Sequence, residues 1–353
     1  MKKLLSAWLA LLLALTALLP ALAEEAAAPR YVRITVKDYG DVYAEVHPDT
    51  APITVENFMT LVGERFYDGL TFHRIISGFM IQGGDPQGNG TGGSGRQIKG
   101  EFSQNGVENP LKHERGVLSM ARSQMMDSAS SQFFIMHADA PHLDGSYAAF
   151  GRVLSGLWVV DKICQVTPVQ DGNGTVAQES KPVIESIREV EKAEAEAARA
   201  AEEENGRAGT RYQDPMTPLS FPVPEGWNRT RDENGKVLFA HDGDEKLMIL
   251  RYDQWSGIPE TGRQQLAAQN IKKEDLDTTT YKKDALAGLV GVNAADFREE
   301  TRSGILFYAA GKDGVEYAVG AADGVIYLFA FNGTPADPGY ADVQAILDQL
   351  TVE

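Results

Sequence analysis

The stretch FHRIISGFMIQGGD, residues 72–85, places one arginine inside a strongly apolar run. The only acids within ten residues upstream of Arg74 are Glu64 and Asp68. A buried guanidinium without a carboxylate partner is costly, by several kcal/mol. Arg74 therefore either pairs with a carboxylate from elsewhere in the fold, lies at a strand end, or carries a function that needs a charge beside apolar side chains.

Five further motifs follow this stretch along the chain. They are Asn89-Gly90-Thr91-Gly92-Gly93, Ser119-Met120-Ala121-Arg122-Ser123, Ser131-Gln132-Phe133-Phe134-Ile135, Leu143-Asp144-Gly145 and Phe150-Gly151. In order and spacing, the six motifs together resemble the cyclophilin family of peptidyl-prolyl isomerases. The resemblance covers about residues 30–190. It implies an eight-stranded barrel and catalysis of cis/trans exchange at Xaa-Pro bonds.

The resemblance also implies a substrate groove in which Arg74 and Gln82 are the catalytic residues. The substrate-binding residues would be Phe79, Met80, Ala121, Arg122, Gln132, Phe134, Leu143 and Tyr147. We expect Gln82 to orient Arg74, and Gln132 with the backbone around Arg122 to hold the substrate main chain. The reaction needs no cofactor and no metal, because no covalent bond has to break.

The chemistry of the reaction explains these residue types. Resonance gives the amide C–N bond a rotation barrier of about 18–20 kcal/mol, although the two isomers at proline differ by only about 1 kcal/mol. In the twisted transition state the prolyl nitrogen regains a lone pair, to which a fixed guanidinium can donate. Arginine suits this role because it stays protonated and holds its donors in a rigid plane. The apolar residues would hold the pyrrolidine ring while the rest of the chain turns.

Two departures from the familiar eukaryotic pattern lie near the end of the groove. His142 stands where that pattern has tryptophan, and Ser146-Tyr147 stand where it often has Lys-His. These changes put tight cyclosporin binding in doubt, because the family's tryptophan contacts that drug. They leave Arg74 and the apolar residues in place.

Local patterns in the same region fit a mainly β fold. Residues 31–36 and 41–46 alternate as strands around an Asp38-Tyr39-Gly40 turn, which predicts a hairpin. A helix is predicted from Pro52 onward, with Val55, Phe58, Leu61 and Val62 facing the core, and a second one over residues 157–164. Many strands with two helices favour a closed or nearly closed barrel whose ends the helices cover.

The N-terminus has the pattern of a signal peptide over residues 1–23. Lys2 and Lys3 precede an apolar run at 4–19, and Ala21-Leu22-Ala23 supplies a cleavage site. The run is shorter than the roughly 20 residues of a spanning helix. We therefore expect export without membrane insertion after cleavage, to the exterior, the cell envelope or the periplasm.

Composition narrows the classes of partner. The 353 residues carry 33 Lys and Arg against 50 Asp and Glu, a formal net charge of −17, which disfavours nucleic acid and anionic membrane surfaces. The single cysteine, Cys164, permits no intrachain disulfide and no cysteine-rich zinc site. The length suggests two domains, each with its own core.

A boundary between the domains is predicted at residues 191–209. The run EKAEAEAARAAEEE contains only good helix formers and no large apolar side chain, which indicates a solvated, charged helical linker. The linker separates the cyclophilin-like domain, 29–190, from residues 210–353, where we expect an α+β sandwich of unknown function. Its strands are predicted at 219–223, 237–240, 247–252, 305–309, 316–319 and 325–331, and its helices at 264–271 and 343–350.

Weaker motifs do not support other activities. Gly88-Asn89-Gly90-Thr91-Gly92-Gly93 matches a dinucleotide fingerprint, but no helical pattern follows it. The group His137, Asp139, His142 and Asp144 fits no standard zinc spacing. The run that begins at Asp171 opens like a calcium loop but lacks the later ligands.

Two functional hypotheses of different classes remain. In the first, the protein is an exported, monomeric foldase that acts on proline-containing peptides and unfolded protein clients. In the second, it is a holdase or binding module that grips proline segments without useful turnover. The presence of Arg74 favours the first hypothesis.

Overall fold

The structure is a computed structural model that describes residues 27–233, 235–258 and 260–352. The predicted signal peptide, residues 1–23, lies outside the described residues. Within them, no helix is both long enough and apolar enough to cross a membrane. A first β-rich part spans residues 30–190, and a second spans residues 211–352.

The first part contains eight strands and two helices. The strands are β1 (Arg30–Val36), β2 (Gly40–Val46), β3 (Phe72–Ile76), β4 (Met80–Gly83), β5 (Val117–Met120), β6 (Phe133–Met136), β7 (Ala149–Ser155) and β8 (Ile184–Val190). The helices are α1 (Pro52–Gly63) and α2 (Leu157–Val166). All eight strands join one sheet in the order β3-β4-β6-β5-β7-β2-β1-β8.

The two edges of this sheet curl towards each other. The backbone N–H of Phe72 donates to Pro182 O at 2.9 Å, and that of Ile184 donates to Leu70 O at 2.7 Å. These bonds join the region of β3 to that of β8, so the sheet is a nearly closed barrel with few unpaired edge groups. The predicted eight-stranded barrel with two covering helices is confirmed.

Both helices complete the core of the barrel. Pro52 begins α1, where its missing N–H costs no helical hydrogen bond. The α1 residues predicted to face inward are all buried, namely Val55, Phe58, Leu61 and Val62. From α2, Val159, Val160 and Ile163 are fully buried in the same core.

Four neighbouring strands, β3, β4, β6 and β5, present their side chains in two rows, one on each face of the sheet. The inner row, paired in register and buried in the main core, consists of Ile75, Ile81, Ile135 and Leu118. The outer row, also paired in register, consists of Arg74, Gln82, Phe134 and Ser119. Because adjacent residues of a strand point to opposite faces, the strands that build the core also present the outer row together.

The linker forms α3 (Lys192–Glu204), as predicted, but it is not a solvated spacer along its length. It packs against β1, β2 and β7, and Ala195 is fully buried. The Glu202 carboxylate accepts hydrogen bonds from Ser155 Oγ at 2.6 Å and from the backbone N–H of Gly156 at 2.7 Å. A small side chain and one well-placed carboxylate thus replace the apolar stripe that the sequence lacks.

The described residues of the second part form ten strands and three α-helices. The strands are β9 (Arg211–Gln213), β10 (Leu219–Pro222), β11 (Trp227–Glu233), β12 (Lys236–His241), β13 (Asp244–Asp253), β14 (Arg298–Arg302), β15 (Ile305–Lys312), β16 (Val315–Ala322), β17 (Val325–Asn332) and β18 (Thr351–Val352). The helices are α4 (Glu260–Ala268), α5 (Lys283–Val290) and α6 (Tyr340–Gln349). The predicted helix at 264–271 thus begins and ends earlier, and β9, β11, β14, β18 and α5 were not predicted.

A seven-stranded antiparallel sheet, in the order β11-β12-β13-β17-β16-β15-β14, organises this part. One face packs against α6 and the small sheet β18-β10-β9, through residues that include Phe329, Ile346 and Phe221. The other face packs against α5, and Leu328 and Leu286 belong to the same buried cluster there. Helices and a second sheet on the faces of an antiparallel sheet match the predicted α+β sandwich.

The two parts touch beside α2. Gln165 donates from Nε2 to the backbone carbonyl of Arg251, and Nη2 of Arg115 lies 3.5 Å from Asp232 O. The second part therefore contacts the helix that covers the barrel.

Candidate functional site

The outer row of the barrel brings the predicted catalytic pair together. Arg74 on β3 lies opposite Gln82 on β4, and Gln82 lies opposite Phe134 on β6. Arg74 and Gln82 are half-buried, whereas Phe134 is 5% exposed. A guanidinium, an amide and an aromatic ring thus follow one another across three adjacent strands.

Two neutral acceptors fix the Arg74 guanidinium. Nε donates to the backbone carbonyl of Asn173 at 2.8 Å, and Nη1 donates to Oε1 of Gln82 at 3.3 Å. Among the described residues, Nη2 donates to no protein atom. Neither anchor is a carboxylate, so the positive charge of Arg74 is not neutralised by its partners.

Gln82 extends this arrangement to a neighbouring loop. Its Nε2 donates to Oε1 of Gln132 at 2.9 Å. Nε2 of Gln132 in turn donates to the carbonyls of Gly90 and Gly92, at 3.0 and 2.8 Å. Gln132, predicted to hold the substrate main chain, thus also ties the loop of residues 89–93, which we call the glycine loop, to Gln82.

The predicted apolar residues form one cluster that is separate from the main barrel core. Met80, Phe134 and Leu143 are its buried members among the predicted site residues, at 2%, 5% and 8% exposed. Phe79, Ala121 and Tyr147 pack against them and are partly exposed. The cluster, which we call the apolar cup, lies on the face of the sheet that carries Arg74. Its residues provide a surface for a small aliphatic ring.

The remaining predicted residue, Arg122, supports one wall of the site. Its Nε and Nη2 donate to Ser146 O at 2.9 and 2.8 Å. The guanidinium also lies over the rings of Tyr147 and Phe102, at 4.7 and 5.0 Å from their centroids. These contacts hold the segment that carries Leu143 and Tyr147 against the body of the barrel.

Sequence reasoning missed His113, which lies beneath the apolar cup and is 1% exposed. Its ring stacks on Phe134, with centroids 6.1 Å apart. Nδ1 lies 3.0 Å from Oδ1 of Asp144, and Nε2 lies 3.0 Å from Oγ of Ser119. Burial lowers the pKa of His113 although the hydrogen bond with Asp144 opposes the shift, which favours a neutral ring that donates to Asp144 and accepts from Ser119. The lone histidine in LKHERG gives no such signal in the sequence.

His142, one of the departures from the eukaryotic pattern, lies at the edge of the cup. Its ring stacks on Phe79, with centroids 5.7 Å apart and planes 28° from parallel. An aromatic ring therefore still covers Phe79 at this position, although it is smaller and more polar than an indole.

Two cavities flank the line that joins Gln82 to Gln132. One, of about 580 Å³, is lined by residues that include Gly92, Ala121, Arg122 and Gln132. The other, of about 500 Å³, is lined by residues that include Arg74, Gly90 and Asn173. Together with the cup they leave room for an extended chain on both sides of Gln82.

Comparison with known proteins agrees with this geometry. Residues 31–193 match the family described as cyclophilin type peptidyl-prolyl cis-trans isomerase/CLD. The chain is 47% identical over 144 residues to a peptidyl-prolyl cis-trans isomerase of Helicobacter pylori, which covers 40% of this chain and 85% of that protein. It is 51% identical over 122 residues to peptidyl-prolyl cis-trans isomerase B of Bacillus subtilis, which covers 35% of this chain and 82% of that protein.

Among solved structures, the chain is similar to a cyclophilin type peptidyl-prolyl cis-trans isomerase of Cryptosporidium parvum. The alignment has a TM-score of 0.42 and 32% sequence identity, and it covers 47% of this chain and 99% of that one.

Proposed function

The chain belongs to the cyclophilin-type peptidyl-prolyl cis-trans isomerase family, and from this premise we propose that it catalyses exchange at Xaa-Pro bonds of exported proteins with Arg74 as the catalytic residue. The isomerase activity follows from membership of the family. The assignment of Arg74 rests on one observation: its charged fork is fixed by neutral acceptors beside the apolar cup.

Arg74 acts by binding the transition state better than the ground state. In the planar amide the prolyl nitrogen shares its lone pair with the carbonyl and is a poor acceptor. As the bond twists, the nitrogen regains the lone pair and accepts a hydrogen bond from the guanidinium. Only an interaction that strengthens in this way lowers the barrier.

The neutral partners of Arg74 preserve its ability to donate. A carboxylate would stabilise the charge before the reaction begins, whereas Gln82 and the carbonyl of Asn173 hold the plane of the fork without neutralising it. The apolar cup holds the pyrrolidine ring, so that one side of the bond is fixed while the other rotates. Lysine has no planar fork and would be a poor substitute for Arg74.

Export and the division of labour within the chain are further parts of the proposal. The signal-peptide pattern of residues 1–23 supports export, and unfolded exported chains with proline-limited folding steps would be the clients. All ten predicted site residues, together with Asn173, lie between residues 74 and 173, which supports residues 29–190 as the catalytic domain. We assign the linker to 191–209 and a non-catalytic role to 210–353, and we propose that the protein acts as a monomer.

Exchange NMR on an Ala-Pro peptide tests the central claim. The full chain should accelerate exchange, and Arg74→Ala should lose about 10²- to 10³-fold, the usual loss for one transition-state donor. Arg74→Lys should recover little of that loss. Arg30→Ala is the matched control, because Arg30 pairs with Glu189 on the surface and lies outside the groove; its rate should equal that of the wild type.

The same experiment distinguishes the isomerase from the holdase. A holdase would bind the peptide without accelerating exchange. Equal rates for Arg74→Ala and wild type would reject Arg74 as the catalytic residue.

A further inference from the structure

We propose that Asp171 is a positioning residue for Arg74, because it shapes the turn that presents the Asn173 carbonyl to Nε of the guanidinium. This inference rests on the proposed function, since it concerns the residue that we assign to catalysis. Asp171 lies in the loop between α2 and β8, outside the groove.

The Asn173 carbonyl is one of the two acceptors that hold the Arg74 guanidinium in place. The 2.8 Å bond from Nε is shorter than the 3.3 Å bond from Nη1 to Gln82. Two bonds at different nitrogens fix both the position and the plane of a guanidinium. Loss of the shorter bond would leave the guanidinium free to rotate about its remaining bond to Gln82.

The carboxylate of Asp171 organises the turn around that carbonyl. Oδ1 accepts the backbone N–H of Asn173 at 2.9 Å and that of Thr175 at 3.1 Å. Oδ2 accepts the hydroxyl of Thr175 at 2.9 Å. Side-chain acceptors of this kind set the direction of the peptide groups that they enclose.

The turn is also hydrogen-bonded to β3, the strand that carries Arg74. The N–H of Ile75 donates to Gly174 O at 2.8 Å, and the N–H of Val176 donates to His73 O at 3.1 Å. These two bonds bracket Arg74. At Gly174, φ is +80° and a Cβ would lie 2.2 Å from Ile75 O, so only glycine fits there.

The two sets of bonds have different roles. The bonds of Ile75 and Val176 hold the loop to β3 and do not depend on Asp171. The bonds of Asp171 hold the backbone of Asn173 within the loop. Removing the carboxylate should therefore leave the loop attached. The peptide group that carries the Asn173 carbonyl would keep only the bond from Gly174 N to the backbone carbonyl of Asp171, at 3.1 Å, so the carbonyl would be oriented less firmly.

Asp171→Ala and Asp171→Asn separate this role from a general effect of charge. Asparagine keeps Oδ1 as acceptor for both backbone N–H groups, whereas alanine removes all three bonds. In peptide exchange, Asp171→Ala should lower kcat about tenfold with KM unchanged, because the apolar cup is intact. Asp171→Asn should keep at least half of the wild-type kcat. Thr175→Ala removes only the hydroxyl bond and should give an intermediate loss.

The Nε–H resonance of Arg74 in ¹⁵N NMR gives a readout that does not depend on turnover. A bonded Nε–H exchanges slowly with water, so the resonance should be protected in wild type and Asp171→Asn and lost in Asp171→Ala. Asp277→Ala is the matched control: Asp277 accepts Thr279 N at 2.8 Å and Thr279 Oγ1 at 2.6 Å in an exposed turn of the second part. It should change neither kcat nor the Arg74 resonance.

Three outcomes would overturn the inference. One is a wild-type kcat for Asp171→Ala, the second is a protected Nε–H in that variant, and the third is an equal loss of kcat in Asp171→Ala and Asp171→Asn. If the wild-type chain fails to accelerate exchange, the proposed function fails, whereas the resonance still decides whether Asp171 positions Arg74.

Discussion

Oε1 of Gln82 lies 3.3 Å from Nη1 of Arg74, and the two residues face each other across the β3–β4 pair. Gln82 also donates to Gln132, which is bonded to the carbonyls of Gly90 and Gly92. The position of the guanidinium is thereby linked to the glycine loop through two neutral side chains. Because the amides are neutral, this link orients the charge of Arg74 without cancelling it.

Replacing Gln82 tests whether the neutrality of this partner matters. Gln82→Ala should lower kcat about tenfold, since the Arg74 guanidinium keeps only its bond to the Asn173 carbonyl. Gln82→Glu should lower it at least as much, although the two side chains have the same shape, because a carboxylate pairs with Arg74 and can no longer donate to Gln132. Exchange NMR on the same peptide measures both variants, and a Gln82→Glu enzyme faster than Gln82→Ala would contradict the expectation.

The docked linker helix predicts a difference between two truncated proteins. One that ends at residue 205 should be more stable than one that ends at residue 190, by about 1–2 kcal/mol, because it keeps the Glu202 bonds to Ser155 and Gly156 and the burial of Ala195. Urea unfolding measures the difference. Both proteins should retain peptide activity, since each contains the whole groove.

Glu202→Ala in the protein that ends at residue 205 is the control for this comparison. It should remove most of the added stability and leave activity unchanged. Equal stability of the two truncated proteins would mean that α3 contributes nothing to the barrel.

Stability should fall as the solution becomes mildly acidic, in part through His73. This residue is 5% exposed, and burial lowers its pKa from the ordinary value of 6.5. The unfolded chain therefore binds a proton more readily than the folded one, so the contribution is fully present above about pH 6.5 and is lost as the pH falls towards the folded pKa. Chemical denaturation of wild type and His73→Gln at pH 7.5 and 5.5 checks this. The loss on acidification should be smaller in the variant, and an equal loss would exclude His73 as a contributor.

Asp161 should be among the positions of the first part where a substitution lowers the free energy of unfolding most. Its fully buried carboxylate accepts from Nη1 and Nη2 of Arg115 at 2.7 and 2.8 Å and lies 3.2 Å from Nε2 of His137. Burial raises its pKa, but the bonds to His137 and Arg115 outweigh burial and the net shift is downward. Asp161→Ala leaves the Arg115 charge without its partner and should cost about 3 kcal/mol or more of unfolding free energy.

An exposed ion pair provides the comparison for Asp161. Glu189→Ala breaks the surface pair with Arg30 and should cost less than about 1 kcal/mol. Urea unfolding of both variants gives the two values, and similar costs would show that the Asp161 pair is not effectively buried.

The sequence predicted those features that side-chain pattern encodes. Alternation located the β1–β2 hairpin, and the spacing of Val55 and Phe58 located α1. The motif at 72–85 led to Arg74 and Gln82 through its resemblance to the cyclophilin family, and strand pairing places the two residues opposite each other. In each case an apolar period or a set of chemically distinct side chains carried the information.

The missed features depend on groups that leave no such pattern. The Asn173 anchor of Arg74 is a backbone carbonyl, and every residue has one. β14 is REETR, a strand at the sheet edge whose charged side chains need no core. α3 binds the barrel through Ala195 and Glu202, which are indistinguishable in sequence from their solvated neighbours.

The two rows of side chains on β3, β4, β6 and β5 make the groove depend on the same strand register as the barrel interior. Shifting the register of β3 against β4 by one residue would place Ile75 where Arg74 now stands. It would also force the Arg74 guanidinium into the apolar core of the barrel. A one-residue insertion or deletion in these strands would therefore abolish activity and folding at the same time. The loops around the groove have no such register to keep, so their lengths can change while the four strands stay aligned.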